Sequence, residues 1–368
     1  MHILSIETSC DETAAAVVED GTKILSNIVA SSQQLHVKTG GIIPEIAARE
    51  QIKCLIPVIN QALLDAKISL DPKPYALAPN IDALTITVGP GLIGSLLVGV
   101  ETAKTLAYLW QKPIVPVNHL IAHLYANWLE TRSATNKNTK NHELPEFPAI
   151  GLIASGGHTD LLLMKNHGTF RWLGGTRDDA AGEAFDKIAR LLGLSYPGGP
   201  AIATKAAESE MMSVKAGSAS GGNHDSRTKL PRPLMDTEDF DFSFSGLKTA
   251  VLREVDKLKQ HDQFNDSVVW KLSCEVQEAI TDVLVKKTLR ATRKYKVSSI
   301  ILGGGVTANQ KLRQKMEAEI RDQKLGISLH IPPSTLCADN AATIASAAYF
   351  NYKPESWHKI QANPGLYF

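Results

Sequence analysis

The sequence predicts an α/β protein made of two related halves. Two observations carry this expectation. Residues 2–19, "HILSIETSCDETAAAVVE", read as strand, polar loop and strand, and residues 149–165, "AIGLIASGGHTDLLLMK", repeat the plan about half a chain later. Elsewhere strands alternate with helices across glycine turns, as in "IDALTITVGPGLIGSLLVGVETAKTLA" (81–107) and "SSIILGGGVTANQKLRQKMEAEI" (298–320).

The totals agree with a soluble globular chain of 368 residues, 43% hydrophobic and 21% charged, long enough for two domains or one large α/β unit. A net charge of +1 gives no overall field that announces a nucleic-acid or anionic-membrane partner. Cys10, Cys54, Cys274 and Cys337 are scattered and form no C-x-x-C pair, which predicts reduced thiols in a cytosol-like compartment. The sequence opens on a strand pattern, "MHILSIETS", with no signal or transit peptide expected ahead of it. The apolar run 89–110 carries Glu101 and Lys104, so a buried helix is expected there and not a membrane span.

In the first half, Asp11 and Glu12 stand in the polar loop between two strands. They either handle a proton or simply close the turn. Further on, "VNHLIAHLYA" (117–126) places Asn118 as the N-cap of a helix after the strand "PIVPV". His119 and His123 then project from adjacent turns of one face, as two metal ligands or as two half-buried histidines. Zinc peptidases of the H-E-x-x-H type need glutamate after the first histidine, and Leu120 stands there instead. Residues 131–147 read as a polar loop, and 217–229 as a mobile surface insertion.

In the second half, Ser155, Gly156, Gly157, His158 and Thr159 form a loop that suits either a phosphate or a tight hairpin turn. Asp178 and Asp179 suit the N-terminus of a helix whose core stripe is Phe185, Ile188, Ala189 and Leu192. Gly193 ends that helix, and Pro197, Gly198 and Gly199 make a turn. Asp186 flanks the stripe and could pair with Arg190. A triple glycine precedes the helix of 298–320, with Asn309 in its first turn, able to meet a ribose or base or merely to start the helix. Asp339 heads an alanine-rich helix, as its N-cap or as a third metal ligand.

Together these segments resemble one family. The run "KTLAYLWQKPIVPVNHLIAHL" (104–124) matches the signature of the tRNA threonylcarbamoyladenosine transferases, bacterial TsaD and its archaeal and eukaryotic relatives, formerly described as O-sialoglycoprotein endopeptidases. "IETSCDETAAAVV", "GGIIPEIAARE", "GPGLIGSLLVGV", "SGGHTDL", "DDAAGEAFDKIARLLGLSYPGGP", "FSFSGLKTAV", "GGGVTANQKLR" and "CADNAA" add to the match over residues 2 to 350, in forms that resemble the bacterial branch.

The resemblance implies an actin-like ATPase-domain (ASKHA) fold, two related lobes around a nucleotide cleft. The first lobe is expected to be 1–134 completed by 337–368, and the second 135–336. It implies transfer of the threonylcarbamoyl group of threonylcarbamoyl-adenylate to adenosine 37 of tRNAs reading ANN codons, releasing AMP. His119, His123 and Asp339 would hold one divalent ion, Fe2+ or Zn2+, with Mg2+ a candidate alongside the nucleotide. The loop 155–159 would take the phosphate side and is a candidate contributor to the metal site. Asp186, Gly199 and Asn309 would hold ribose and adenine. A TsaB-like paralogue and a TsaE-like ATPase are the expected partners, in the cytoplasm and away from membranes.

Rival readings are an ATP-dependent sugar kinase or ATPase of the same fold, and a non-catalytic scaffold paralogue. The kinase leaves the paired histidines unexplained, and such a scaffold usually loses the metal motif. The sequence also departs from its relatives in places. Gln51 stands where many have histidine, in a helix expected near a subunit or substrate surface, and Ala203 where some have a polar ribose contact. Residues 217–229 follow no clear family pattern, and "QANPGLYF" at 361–368 is atypical.

Overall fold

Both strand–loop–strand openings found in the sequence become hairpins that include the central strand of a mixed five-stranded sheet. The structure is a computed structural model that describes residues 1–37, 41–68, 79–130, 144–215 and 229–368, side chains excepted at 209–215. The expected loop 131–147 and insertion 217–229 therefore lie largely outside the described residues.

The first sheet holds β1 (His2–Glu7), β2 (Glu12–Glu19), β3 (Lys23–Ser31), β4 (Ala83–Gly89) and β5 (Ile114–Asn118), in the order β3-β2-β1-β4-β5. The second holds β6 (Ala149–Ala154), β7 (Thr159–Asn166), β8 (Thr169–Gly175), β9 (Ser299–Gly303) and β10 (Ser328–His330), in the order β10-β9-β6-β7-β8. Read from β8, this repeats the first order strand for strand. In each sheet the leading strand pairs antiparallel with the next, that one pairs antiparallel with the third, and the two later strands add in parallel. This duplicated sheet is the architecture of the actin-like ATPase fold.

The helices are α1 (Gln33–Val37), α2 (Pro44–Asp65), α3 (Ile93–Trp110), α4 (His119–Tyr125), α5 (Ala181–Leu191), α6 (Gly198–Lys215), α7 (Ser245–Gln260), α8 (Asp266–Tyr295), α9 (Gln310–Asp322) and α10 (Ala341–Phe350). Among the described residues, no helix is long and apolar enough to cross a membrane. None of the four cysteines is in a disulfide.

Alternating residues of each sheet feed two different cores. In β6, Ile150, Leu152 and Ala154 pack with Phe185 and Ile188 of α5 and with Ile280 and Val283 of α8. Ala149 and Ile153 of the same strand join Leu120 and Leu124 of α4 and Ile344 of α10. Those two helices therefore lie between the sheets: Val115 and Val117 of β5 share that core with Leu162 and Met164 of β7. A strand covered on both faces reads as a continuous apolar run, as β6 does. Close approach of α4 requires bare backbone, because a Cβ on Gly303 would stand 2.7 Å from the carbonyl of His123.

Candidate metal centre and nucleotide cleft

Strand β5 ends at Asn118, whose side-chain oxygen accepts from the amides of Leu120 at 2.8 Å and Ile121 at 3.3 Å. The expected N-cap thus starts a seven-residue helix at the first histidine. His119 and His123 are both buried, their rings edge-on with centroids 4.6 Å apart. Asp339 faces them: its Oδ1 lies 3.6 Å from Nε2 of His119 and 3.5 Å from Nε2 of His123. Asp339 is not the cap of α10. Asn340 does that work, its side chain accepting from the amide of Thr343 at 3.2 Å, which leaves Asp339 turned toward the histidines.

Those separations suit a shared ion. Tetrahedral ligands about 2.1 Å from one centre stand roughly 3.4 Å apart. The Nε2 of His123 is buried without any hydrogen-bond partner, a costly state for a polar atom that an ion would relieve. The donor set of two imidazoles and a carboxylate fits a divalent transition ion.

Glu7 sits behind this group, its Oε2 3.2 Å from Nδ1 of His119, with the hydroxyl of Ser9 3.3 Å from the same nitrogen. Burial alone would raise the Glu7 carboxyl. The charge and hydrogen bond of His119, with donors from Ser9 and Thr87, outweigh it and hold Glu7 low. Burial likewise lowers His119, but Asp339 and Glu7 raise it to about 9. His123 is lowered, by burial first and then by the His119 charge. His158 is held at about 4 by burial and by His119, which places it within reach of the same field.

The loop 155–159 turns between β6 and β7. Ser155 donates its amide to the carbonyl of His158 at 2.8 Å, and the Ser155 hydroxyl accepts from the His158 amide at 3.2 Å. A Cβ on Gly156 or Gly157 would meet nothing within 4 Å, so the turn faces open space. The Thr159 hydroxyl accepts from the amide of Ala181 at 2.9 Å and so receives the start of α5.

Asp178 and Asp179 do not cap that helix, which begins after Ala180 with no side-chain cap. Asp178 instead caps α7, accepting from the amides of Phe244 at 2.8 Å and Ser245 at 3.2 Å. The expected turn at 197–199 passes directly into α6, because Gly198 is already helical. Asp186 meets that helix start: its Oδ1 accepts from the Gly198 amide at 2.7 Å, while the charge of Arg190, the partner that the sequence suggests, also acts on its carboxylate. Beyond it, a Cβ on Gly199 would meet nothing within 4 Å. Asn309 caps α9 through the amide of Leu312 at 3.2 Å, and its own amide group donates to Gln277 at 2.9 Å.

In the first loop Asp11 is buried and Glu12 opens β2. Burial, then Asp339 and Asp11, raise the Glu12 carboxyl well above its usual range. Gln51 itself faces inward. It is buried, and its amide group donates to the carbonyls of Cys10 at 2.9 Å and Glu12 at 3.1 Å, bracing the loop that carries both acids.

A family profile described as TsaD, tRNA N6-adenosine threonylcarbamoyltransferase, matches residues 23–346. The protein of that name from Syntrophomonas wolfei is 46% identical over 361 residues, covering 98% of this chain and 95% of the relative. The chain belongs to the TsaD family. Its Thermomicrobium roseum relative of the same name is 47% identical over 369 residues, covering 95% of this chain and 92% of the relative. A third, from Geobacillus thermodenitrificans, is 43% identical over 368 residues, 100% of this chain and 96% of the relative.

Several residues of this TsaD-family site escape the sequence reading. Glu7 reads as the polar end of an apolar strand, and nothing local pairs it with a histidine 112 positions away. Arg313 is another. Its guanidinium donates to the carbonyls of Thr307 at 2.7 Å and Pro332 at 2.9 Å and to Cys337 Sγ at 3.3 Å, tying the glycine loop to the turn before Asp339. Tyr196, between α5 and α6, is pushed up to about 12 by burial and then by Asp186, Asp11, Cys10 and Glu12.

Proposed function

We propose that this chain transfers the threonylcarbamoyl group of threonylcarbamoyl-adenylate to the N6 amine of adenosine 37 in tRNAs reading ANN codons, with release of AMP. The observation that carries this reading is the buried triad His119, His123 and Asp339, with an unpartnered Nε2 on His123, beside the open loop 155–159. The triad would hold one divalent ion, Fe2+ or Zn2+. When bound, the ion would act as a Lewis acid toward oxygens of the adenylate's phosphate or carbamoyl group.

The chain's own groups supply placement. Backbone around Gly156 and Gly157 offers amides to the phosphate with no side chain in the way. The space over Gly199 takes the adenosine, bordered by Asp186 and Asn309. The acyl carbon arrives already activated by its phosphate leaving group, so positioning and charge stabilisation are the main work. The amine nitrogen attacks the carbamoyl carbon, the carbon–oxygen bond to phosphate breaks, AMP leaves, and the amine proton passes to Asp11 or Glu12.

A TsaB-like paralogue and a TsaE-like ATPase are the proposed protein partners, in the cytoplasm. A surface of α2 and α3 supports the first: Ile52 and Ile56 on one helix and Ile93 and Leu97 on the other are between 45% and 66% exposed. Neighbouring apolar stripes of this kind usually mark an interface.

The deciding assay presents threonylcarbamoyl-adenylate and unmodified tRNA to the protein with these partners and analyses the nucleosides. Threonylcarbamoyladenosine is the expected product. Absence of that product would overturn the reading, and phosphoryl transfer from ATP to a sugar, with ADP released, would replace it with a kinase.

A further inference from the structure

The segment 361–368 is built into both lobes. On the first lobe, Ile360 is buried and Ala362 and Leu366 pack against the core of β1, β4 and α3. Asn363 donates its amide to the carbonyl of Val88 at 2.7 Å, and Gly91 donates to the carbonyl of Pro364 at 3.4 Å. On the second lobe, the Tyr367 hydroxyl donates to Oδ1 of Asp160 in β7. Trp172 of β8 donates Nε1 to the same oxygen at 3.0 Å, and its ring stands edge-on to Tyr367 with centroids 6.2 Å apart.

Both anchors depend on missing side chains. A Cβ on Gly89, whose φ is +153°, would stand 1.9 Å from the carbonyl oxygen of Asn363. A Cβ on Gly175 would stand 2.3 Å from Oδ1 of Asp160 and 3.2 Å from the Tyr367 hydroxyl. Two glycines on different sheets thus leave room for the two ends of one segment.

Each anchor also adjoins one half of the site. The Cβ position of Gly91 lies 2.5 Å from the carbonyl of Ser9, whose hydroxyl faces His119 at 3.3 Å. Asp160 directly follows Thr159 of the open loop.

We propose that segment 361–368 is a latch between the lobes and that Tyr367 is a positioning residue for the transfer reaction. Through Asp160 its hydroxyl holds the loop 155–159 at a set distance from His119, His123 and Asp339. An acyl group carried between a phosphate loop and a metal side tolerates little error in that distance, since displacement by about 1 Å can cost on the order of a hundredfold in rate. This inference rests on the proposed assignment of the loop 155–159 to the adenylate.

The test compares Tyr367→Phe, which removes only the hydroxyl, with Asp160→Asn, which keeps an oxygen that accepts from both Tyr367 and Trp172. Hydrogen–deuterium exchange of segments 155–160 and 88–92 is measured without tRNA or nucleotide, and transfer kinetics with premade threonylcarbamoyl-adenylate. Tyr367→Phe should speed exchange severalfold in segment 155–160 and lower kcat about tenfold with KM nearly unchanged, as expected of an interaction that aligns the reacting groups. Asp160→Asn should stay within about twofold of wild type in both, because the accepting oxygen survives.

Unchanged exchange in Tyr367→Phe would overturn the latch. Faster exchange with unchanged transfer would overturn the positioning role, and so would a loss in Asp160→Asn as deep as that in Tyr367→Phe. Wild-type protein with no transfer at all would instead defeat the proposed function, and the exchange result would still decide the latch.

Discussion

Oε2 of Glu7 lies 3.2 Å from Nδ1 of His119, so the far nitrogen of that ring is the one aimed at Asp339. A carboxylate behind a ligating imidazole selects the tautomer and fixes the ring plane. Glu7→Gln should therefore weaken binding of Zn2+ or Fe2+ by about 10–100-fold while leaving the fold intact. Competition against a chelating dye would measure it, and an unchanged dissociation constant would remove Glu7 from the site.

Removing a ligand outright should do more. His123→Ala is expected to lose a roughly stoichiometric ion, seen by elemental analysis of the purified protein. Equal metal content in variant and wild type would eliminate the triad as a metal centre.

Asp339→Ala should separate reaction from nucleotide binding. AMP has no carbamoyl group, so its affinity should change little while transfer to tRNA falls by at least about a hundredfold. Wild-type transfer in this variant would contradict the role given to the triad.

At Gly199 there is open space where a side chain would project. Gly199→Trp should fold normally, because nothing lies within 4 Å of the new Cβ, yet fill the proposed adenosine pocket. AMP affinity measured by calorimetry should drop at least tenfold. A folded variant that binds AMP as before would move the pocket elsewhere.

Asp178 offers a test of stability against pH. Burial raises its carboxyl, but hydrogen bonds from Ser243, Ser245 and the amides of Phe244 and Ser245 outweigh this and hold it below the ordinary carboxylate value. A depressed folded value means that the contribution is full above the unfolded value of about 3.9 and fades as pH falls through the folded one. Asp178→Ala should cost about 1 kcal/mol at neutral pH in urea unfolding, and the gap should narrow near pH 3. A gap that stays constant would show that the charge is not what the helix start recognises.

Much of the fold was legible because local patterns and the final arrangement agree. The paired strand–loop–strand segments became β1–β2 and β6–β7, and Asn118 caps α4 as its position before an apolar helix suggests. His119 and His123 share a face simply because helical spacing puts residues four apart on adjacent turns. Where acids compete for helix starts, the sequence misleads. Asp178 lies two residues before Ala180, the N-cap position of the local helix, yet it serves α7, more than sixty positions away. Asp339 looks like a cap, but Asn340 takes that place. A short carboxylate can reach any amide that folding brings near, so its partner is not encoded in its neighbours.

The order of residues is enough to specify the alternation of strands and helices, the membership in a transferase family and the types of ligand available. Those properties depend on periodicity, on glycine at turns and on motifs read within a few residues. Folding had to supply the rest. Glu7 meets His119 only because β1 lies one strand from β4 and two from β5. Gln51 turns inward to brace the first loop because α2 packs across β2, burying one face and leaving Ile52 and Ile56 outside. Segment 361–368 joins the lobes only because Gly89 and Gly175, 86 positions apart in the chain, leave space at either end of one short crossing. Contacts of this kind arise between elements remote in sequence, where the sum of packing in both sheets sets the distance and no single segment carries the information.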